Sequence, residues 1–182
     1  MIQTYKVNMS CYRITKYDPA FRNKDCAFIR KDWTAISDIG KIFSNRILTF
    51  EEYLLIENKY ISSALHFFNE ADLKGLCVVG LEQKQILNLK EIRFSGIDYK
   101  KKSFHEGMQV TGSDLPHICR LILREILWCR LESNSNFYIH FGWDFYMYIG
   151  TSIESGMSVD FTSKQGLFVE EMESPYSQLS DE

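Results

Sequence analysis

The stretch TFEEYLLIENKYISSALHFFN, residues 49–69, predicts the longest helix of this 182-residue chain. Thr49 followed by Glu52 has the form of a capping box, in which each side chain satisfies the backbone N–H of the other residue at a helix start. Behind it, apolar residues recur at spacings of three and four, the period of one helix face. We therefore expect an amphipathic helix over residues 49–69. Its apolar face consists of Phe50, Tyr53, Leu54, Tyr60, Ile61, Ala64, Leu65 and Phe68.

Glu57 lies on the apolar face of this predicted helix, between Leu54 and Ile61. A carboxylate in that position is either buried with a partner or placed at the edge of the face, where it reaches water. The second arrangement is the more common one, and we expect it here.

A second helix is predicted over residues 114–131. Ser113 or Asp114 can cap it, and Pro116 is tolerated in its first turn. Apolar residues cover more than half of its circumference, which is typical of a largely buried helix. We therefore expect this helix at the centre of the core. The apolar positions are Leu115, Ile118, Cys119, Ile122, Leu123, Ile126, Leu127, Trp128 and Leu131.

Alternating or short apolar segments on either side of these helices predict strands. The elements together predict an α+β fold, in which a largely antiparallel sheet packs against two long helices. We expect a single domain over residues 1–172 and a polar, acidic tail over residues 173–182. The predicted strands cover residues 10–17, 76–81, 92–94, 104–110, 137–149 (two strands or one bent strand), 158–161 and 167–170.

The composition excludes several classes of protein. Apolar residues make up 45% of the chain and charged residues 25%, so the chain can bury a core and is not disordered. It contains no run of eighteen apolar residues, and we expect neither a membrane span nor a secretory signal. The five cysteines form no C-x-x-C pair and match no zinc spacing. Free thiols of this kind indicate a reducing compartment, and we expect a cytoplasmic location.

Negative charge is concentrated near the end of the sequence. The formal net charge is −3, and no lysine or arginine follows Lys164. A chain without a clustered basic face is not typical of a dedicated nucleic-acid binder. Acids of this kind suit a basic protein partner, although acidic tails serve solubility equally often. The acids after Lys164 are Glu170, Glu171, Glu173, Asp181 and Glu182.

No catalytic motif is found in the sequence. It has no nucleophile elbow, no Walker A loop and no dinucleotide-binding glycine pattern. His140 and Asp144 flank Gly142 and can approach each other across a hairpin, which is the best indication of an enzyme. Histidines beside aromatic residues on strands are more often packed and hydrogen-bonded. We expect no cofactor and no metal site.

Aromatic residues crowd the segment from residue 137 to residue 148. Exposed aromatic side chains beside cations form stacking platforms for single-stranded nucleic acid, but residues 137–150 contain no lysine or arginine. Core packing explains most of the enrichment, and the surplus of tyrosine and tryptophan suits a protein interface. We therefore expect no direct binding of nucleic acid. The aromatic residues are Phe137, Tyr138, Phe141, Trp143, Phe145, Tyr146 and Tyr148.

Three segments together carry a resemblance to a known family. They are YRITKYDP at residues 12–19 with Arg22 and Asn23 after it, WTAISDIGK at residues 33–41, and HFGWDFYMY at residues 140–148. The pattern resembles small bacterial immunity proteins of polymorphic-toxin and contact-dependent growth inhibition systems. This resemblance implies a cytosolic, non-catalytic inhibitor that binds the C-terminal toxin domain of a cognate effector, often a nuclease. It would block the active site or the substrate-binding face of the toxin.

The toxin-binding residues that we expect are acids and aromatic residues, because acids on an inhibitor can occupy the phosphate sites of a nuclease. Residues shared by a family more often hold the scaffold, with toxin contacts in variable loops. Two alternatives stay open: a small enzyme centred on His140 and Asp144, and a generic protein-interaction scaffold. The expected toxin-binding residues are Asp38, Trp143, Asp144, Tyr146, Tyr148, Glu170, Glu171 and Glu173.

Overall fold

The computed structural model describes residues 8–83, 96, 102–134 and 136–177. Within these residues, seven strands form one sheet in the order β5-β4-β6-β7-β8-β1-β9, with antiparallel neighbours, and β2 and β3 form a separate hairpin. The predicted α+β class with an antiparallel sheet is confirmed. In chain order the elements are β1 (Ser10–Thr15), β2 (Ile42–Phe43), β3 (Arg46–Ile47), α1 (Phe50–Glu70), β4 (Leu76–Gln83), β5 (Gln109–Val110), α2 (Leu115–Leu123), β6 (Leu127–Ser133), β7 (Phe137–Phe141), β8 (Met147–Thr151), α3 (Gly156–Lys164) and β9 (Phe168–Glu171).

Helix α1 begins where the capping box predicts. The Thr49 hydroxyl accepts a hydrogen bond from the Glu52 N–H at 3.2 Å, and the Glu52 carboxylate accepts one from the Thr49 N–H at 3.3 Å. The buried face of the helix packs on the sheet, where the ring of Phe67 lies 5.8 Å from that of Tyr12 on β1. The helix ends at Glu70, one residue after the predicted end. In the described part of the chain, no helix has the length and apolar character that crossing a membrane requires.

Glu57 does not reach water. Its side chain is fully buried between α1 and α2, where two arginines bind its carboxylate. Arg124 contacts the two carboxylate oxygens at 2.6 and 2.9 Å, and the Nε of Arg120 lies 3.1 Å from Oε2. The expectation of an exposed edge position was therefore wrong, and a buried carboxylate with partners is the correct alternative.

The second predicted helix, over residues 114–131, is wrong in its second half. Helix α2 ends at Leu123, and Glu125 takes a φ of 56°, which a continuing right-handed helix cannot accommodate. The chain then enters β6, which pairs with β4 and β7 in the middle of the sheet. Buried strands and buried helices are both apolar, so residue type did not separate them. Among the described elements only α1 is long, and the prediction of two long helices is corrected accordingly.

Residues 158–161, predicted as a strand, belong to helix α3. The carboxylate of Glu70, the last residue of α1, accepts hydrogen bonds from the N–H groups of Met157 at 3.2 Å and Ser158 at 2.8 Å. This carboxylate satisfies amides that the first turn of α3 leaves unpaired. The contact connects the start of α3 to the end of α1, and no local sequence pattern predicts it.

The other strand predictions agree more closely with the structure. The segment over residues 137–149 forms two strands, β7 and β8, and β9 matches the prediction over residues 167–170 within one residue. Of residues 104–110, only Gln109–Val110 joins the sheet. The strand predicted over residues 92–94 lies outside the described residues.

The sheet has two faces of different chemistry. Side chains on one face, such as those of Ile14, Ile139 and Ile149, are fully buried beneath the helices. Because side chains alternate along a strand, the intervening residues point to the opposite face. We call this opposite face, which is rich in polar and aromatic side chains, the outer face. It carries Arg13, Arg130, Glu132, Tyr138, His140, Tyr148 and Glu170.

The segment after β9 lies on part of the outer face. Ser174 is buried, and the ring of Tyr176 lies 5.5 Å from Trp128 and 6.3 Å from Tyr148. Ser174 and Tyr176, which were expected in a polar tail, therefore pack against the sheet, while residues 178–182 lie outside the described part of the chain. This packing brings Tyr176 next to Gly142, at the turn between β7 and β8.

Candidate functional site

The turn between β7 and β8 holds two consecutive residues in the left-handed backbone region. Asp144 has a φ of 62° and Phe145 a φ of 61°. For residues other than glycine, such a conformation costs about 1–3 kcal/mol each and persists where the surroundings enforce it. The backbone conformation of this turn is therefore fixed by its surroundings, at a cost in stability.

Two tyrosines from distant parts of the chain hold this shape. The hydroxyl of Tyr17 donates a hydrogen bond to the Asp144 carbonyl at 2.8 Å, and that of Tyr60 donates one to the Phe145 carbonyl at 2.7 Å. The ring of Phe145 is buried and anchors the turn in the core. Its aromatic neighbours, all in edge-on contact, are Trp33, Tyr53 and Tyr60.

Trp143 points away from this anchored backbone into solvent. Its side chain is 72% exposed, the largest value among the large apolar residues that the structure describes. Exposed tryptophans held in a fixed position are typical anchors of protein interfaces, because they bury much area and lose little conformational freedom on binding.

A groove of about 250 Å³ lies beside Trp143. Its lining includes buried apolar side chains of α2, β6 and β7, among them Ile122, Leu127 and Phe141. The other lining residues are mainly aromatic or acidic, and within the described chain no lysine or arginine lines the groove. The aromatic residues are Trp128, Trp143 and Tyr176, and the acids are Glu82, Glu125 and Asp144.

Several contacts fix the aromatic side chains of the groove. Trp128 stands on the outer side of β6 and donates a hydrogen bond from Nε1 to the Phe141 carbonyl at 2.8 Å. Gly142 lets the rings approach the turn, because a Cβ there would lie 3.2 Å from the ring of Tyr148 and 3.3 Å from the Tyr176 hydroxyl. The groove is thus formed before any ligand arrives.

Trp143 and Asp144 are the two predicted toxin-binding residues that line the groove. Two others, Tyr146 and Glu170, lie in a cluster with arginines. The Glu170 carboxylate binds Arg13 at 2.8 Å and Arg22 at 3.0 Å, and both guanidinium groups lie about 5.5 Å from the centre of the Tyr146 ring. The cluster ties the loop after β1 to the sheet. A fifth predicted residue, Tyr148, is buried beside it.

The remaining predicted residues lie away from the groove. Asp38 closes its own turn, accepting hydrogen bonds from the Thr34 N–H at 2.8 Å and from the Lys41 ammonium at 2.7 Å. Glu171 ends β9, an edge strand, and Glu173 follows it; both side chains are exposed. The structure therefore distributes the eight predicted residues over several places instead of one continuous surface.

Sequence reasoning missed four residues that line the groove: Trp128, Tyr176, Glu82 and Glu125. Trp128 was assigned to a helix and Tyr176 to the tail, so neither was expected near Trp143. One signal was present, because apolar and polar residues alternate from Cys129 to Glu132, as they do in a strand with one buried face. The two glutamates carry no local signal of this kind.

His140 has partners other than Asp144. Its Nδ1 lies 2.8 Å from the Ser174 hydroxyl and its Nε2 lies 3.1 Å from Oε1 of Glu132. Burial lowers the pKa of His140 despite the opposing effect of Glu132, and the hydrogen bond from His140 lowers the pKa of Glu132. A neutral imidazole that donates from Nε2 to Glu132 and accepts at Nδ1 from Ser174 satisfies both contacts.

The serine and the histidine of this arrangement are closed to solvent, whereas the Glu132 side chain is one-third exposed. Ser174 is 3% exposed and His140 is 1% exposed, with the ring of Tyr138 stacked 4.3 Å away, and neither residue lines the groove. The pair His140–Asp144, on which the enzyme alternative was based, is not brought into contact. Among the described residues, no three His, Cys, Asp or Glu side chains form a group that could hold a metal ion.

Comparison of the chain with protein-family models, with curated proteins and with solved structures finds no match. The geometry of the groove and of the turn that carries Trp143 is therefore the basis for assigning a function.

Proposed function

We propose that this chain is an immunity protein, which binds the toxin domain of a cognate effector and neutralises it by covering its active site or substrate-binding face. The observation that carries the proposal is the exposed side chain of Trp143 on a rigid turn beside a groove with acidic lining. The protein acts in the cytoplasm, and its partner is a protein rather than nucleic acid or membrane.

The physical argument for a protein partner starts from rigidity. Association is less costly when the binding residues are already ordered, and the hydrogen bonds from Tyr17 and Tyr60 order the turn in the free protein. A buried tryptophan at the centre of an interface commonly contributes about 2 kcal/mol or more to affinity. Trp143 is thus the proposed central anchor.

Charge supports a basic partner such as a nuclease. The acids that line the groove, Glu82, Glu125 and Asp144, place negative charge around the proposed anchor. Surfaces that hold RNA or DNA phosphates are basic, and opposite charges speed encounter and fix orientation. A typical stable interface buries about 1,600 Å², so the groove forms the centre of a larger contact. Exposed acids farther away, such as Glu171, act at its rim or outside it.

The proposal predicts that a neighbouring gene encodes a secreted protein with a C-terminal toxin domain, and the experiment that tests the proposal uses that domain. Co-expression of this chain is expected to protect cells that make the toxin, and the two proteins are expected to elute together on gel filtration. If the cells are not protected and the two proteins do not elute together, the proposed immunity function is wrong.

Two alanine variants test the proposed surface. Trp143→Ala is expected to weaken the complex by about 30-fold or more, the equivalent of about 2 kcal/mol. Met157→Ala is the matched control, because Met157 is also an apolar residue and is 69% exposed, but lies on α3 and does not line the groove. Equal affinities of the two variants for the toxin place the interface elsewhere on the molecule.

A further inference from the structure

We propose that three exposed aliphatic side chains on the β2–β3 hairpin and on α1 form a second contact with the toxin domain, and that an apolar part of that domain covers them. The three residues are Ile42, Ile47 and Leu55, and we call them the hairpin patch. The inference rests on the proposed function, because the toxin domain is the occupant of the patch.

The hairpin patch is a group of neighbouring apolar side chains, each more than half exposed. Ile42 and Ile47 are cross-strand partners. Ile47 and Leu55 both line a groove of about 330 Å³ between the hairpin and α1, which we call the hairpin groove. Single exposed apolar residues are ordinary, whereas apolar residues that adjoin one another on a surface mark contact sites. Three of the seven large apolar residues that are exposed in the described chain lie in this patch.

The backbone of the hairpin is ordered without a partner. Its two-residue loop consists of Ser44 and Asn45, whose φ values of 47° and 63° are those of a tight turn that matches the twist of the strands. Arg46 then forms an ion pair with Glu52 in the first turn of α1. This pair ties the hairpin to the helix that carries Leu55. A surface that is already ordered loses less conformational freedom on binding.

The charges of the hairpin groove favour an apolar occupant. Each charged side chain that lines the groove has an opposite charge within this chain, since Arg46 pairs with Glu52 and Asp32 pairs with Lys16 at 2.7 Å. A charged group of the partner therefore gains no unpaired countercharge here. The fully buried centre of a protein interface is likewise apolar and poor in charged residues. The complementary surface of the partner is thus an apolar one.

The hairpin patch continues the surface that is proposed around Trp143. Trp33 lines the hairpin groove, and the next residue, Thr34, lines the groove beside Trp143. The ring centre of Trp33 also lies 5.0 Å from that of Phe145, in the turn that carries Trp143. One tryptophan buries at most about 250 Å², whereas a standard interface covers about 800 Å² of each partner. A toxin domain seated on Trp143 therefore extends across Thr34 to the patch, and we choose it as the occupant over a second copy of this chain.

Two matched triple variants test the inference. The patch variant carries Ile42→Thr, Ile47→Thr and Leu55→Gln, in which threonine suits a strand and glutamine suits a helix. The control variant changes three exposed apolar residues elsewhere, by Ile29→Thr, Ile153→Thr and Met157→Gln. Isothermal titration calorimetry is expected to show toxin binding weakened at least about tenfold in the patch variant and less than about twofold in the control. Equal affinities of the two variants overturn the inference.

Hydrogen–deuterium exchange of the unaltered protein gives a readout that does not depend on the folding of a variant. Binding of the toxin domain is expected to slow exchange at least about tenfold in residues 41–48 as well as in residues 142–146. Residues 156–164 of α3, which line neither groove, are the internal control. Slowing in residues 142–146 without slowing in residues 41–48 overturns the inference.

A second copy of this chain is the alternative occupant of the hairpin patch. Sedimentation equilibrium of the isolated chain is expected to give the mass of a monomer. A dimer that the patch variant abolishes assigns the patch to self-association and overturns the inference.

The inference and the proposed function fail in distinguishable ways. A toxin complex that the patch variant forms as tightly as the unaltered chain removes the second contact and keeps the immunity function. If the unaltered chain gives neither protection nor a complex, the immunity function and the second contact are both wrong.

Discussion

The helix-covered face of the sheet and its outer face are both buried over much of their area, but different chemistry buries them. On the helix side, apolar residues such as Ile14, Leu131 and Ile139 pack against one another. On the outer side, charged and polar groups such as Arg13 and His140 are buried with hydrogen-bonding partners. Apolar packing tolerates small adjustments, whereas a polar layer depends on each partner being present.

This contrast between the two faces determines where a binding site can form. The groove lies where outer-face residues, Trp128 and Tyr176, meet the strained turn that carries Trp143. Its aromatic walls are positioned by the polar layer, while its backbone is positioned from the helix side through Tyr60. The candidate site is thus held from both faces, and variants of each face test the comparison.

We expect the greatest loss of stability from disrupting the buried ion cluster of Glu57 with Arg120 and Arg124, on the helix side. Glu57→Gln removes the negative charge that Arg120 and Arg124 share, and breaking a buried ion pair costs about 3–5 kcal/mol. We expect the free energy of unfolding, measured with urea, to fall by about 4 kcal/mol. Glu51→Gln, at an exposed position of the same helix, is the control. A loss below about 1 kcal/mol for Glu57→Gln contradicts the interpretation that this cluster holds α1 to α2.

A substitution at Gly150 is the most direct way to disrupt the packing of the outer face. A Cβ at this position would overlap the ring of Tyr138, the cross-strand neighbour that stacks on His140. Gly150→Ala is therefore expected to lower stability by about 3 kcal/mol, near the upper end for overpacking. Gly156→Ala is the matched control, since nothing lies within 4 Å of its added Cβ and alanine favours the helix that begins there. Similar melting temperatures for the two variants rule out the tight packing proposed for Tyr138.

A smaller effect concerns pH. Burial keeps the pKa of His140 below its ordinary value of 6.5, so the unfolded chain binds a proton more readily than the folded one. Stability conferred by the neutral imidazole is therefore full above pH 6.5 and is lost as the pH falls below it. Between pH 7.5 and 5.5 we expect a loss of stability that His140→Gln abolishes, and one group can contribute at most about 1.4 kcal/mol over this range. An identical pH dependence in the variant shows that other groups cause it.

The groups facing His140 on the outer face are also part of this prediction. Glu132 and Ser174 bind the two ring nitrogens, Arg130 is the cross-strand neighbour, and Tyr138 stacks on the ring. Glu132→Gln removes an anion that favours the protonated imidazole, so we expect it to steepen the loss of stability at low pH.

The helix-covered face was easier to predict from the sequence than the outer face. The capping box at Thr49 and the periodicity after it located α1 within one residue at its end, because both signals are local. The error over residues 127–131 arose where the apolar residues of α2 run directly into those of β6. Length did not separate them, since only the turn at Glu125 divides one element from the other.

Only those residues of the site that belong to one short sequence motif were predicted. Trp143 and Asp144 were selected from one aromatic motif, and both line the groove. The partners of His140 lie 8 and 34 residues away in the chain, at Glu132 and Ser174, so a search for neighbours in sequence chose Asp144 instead. The exposure of Trp143 likewise depends on the distant Tyr17, which no spacing rule connects to the turn.

Trp143 is the residue at which we expect the smallest effect on stability and the greatest effect on binding. Trp143 is 72% exposed, so Trp143→Ala removes little buried surface and should change the free energy of unfolding by less than about 0.5 kcal/mol. Trp33→Ala is the contrast, because Trp33 is 8% exposed in the core and its truncation should cost about 3–5 kcal/mol. A loss above about 1 kcal/mol for Trp143→Ala in urea unfolding assigns Trp143 to the packed structure. Its effect on toxin binding then no longer reports a contact, because a loosened turn would weaken the complex as well.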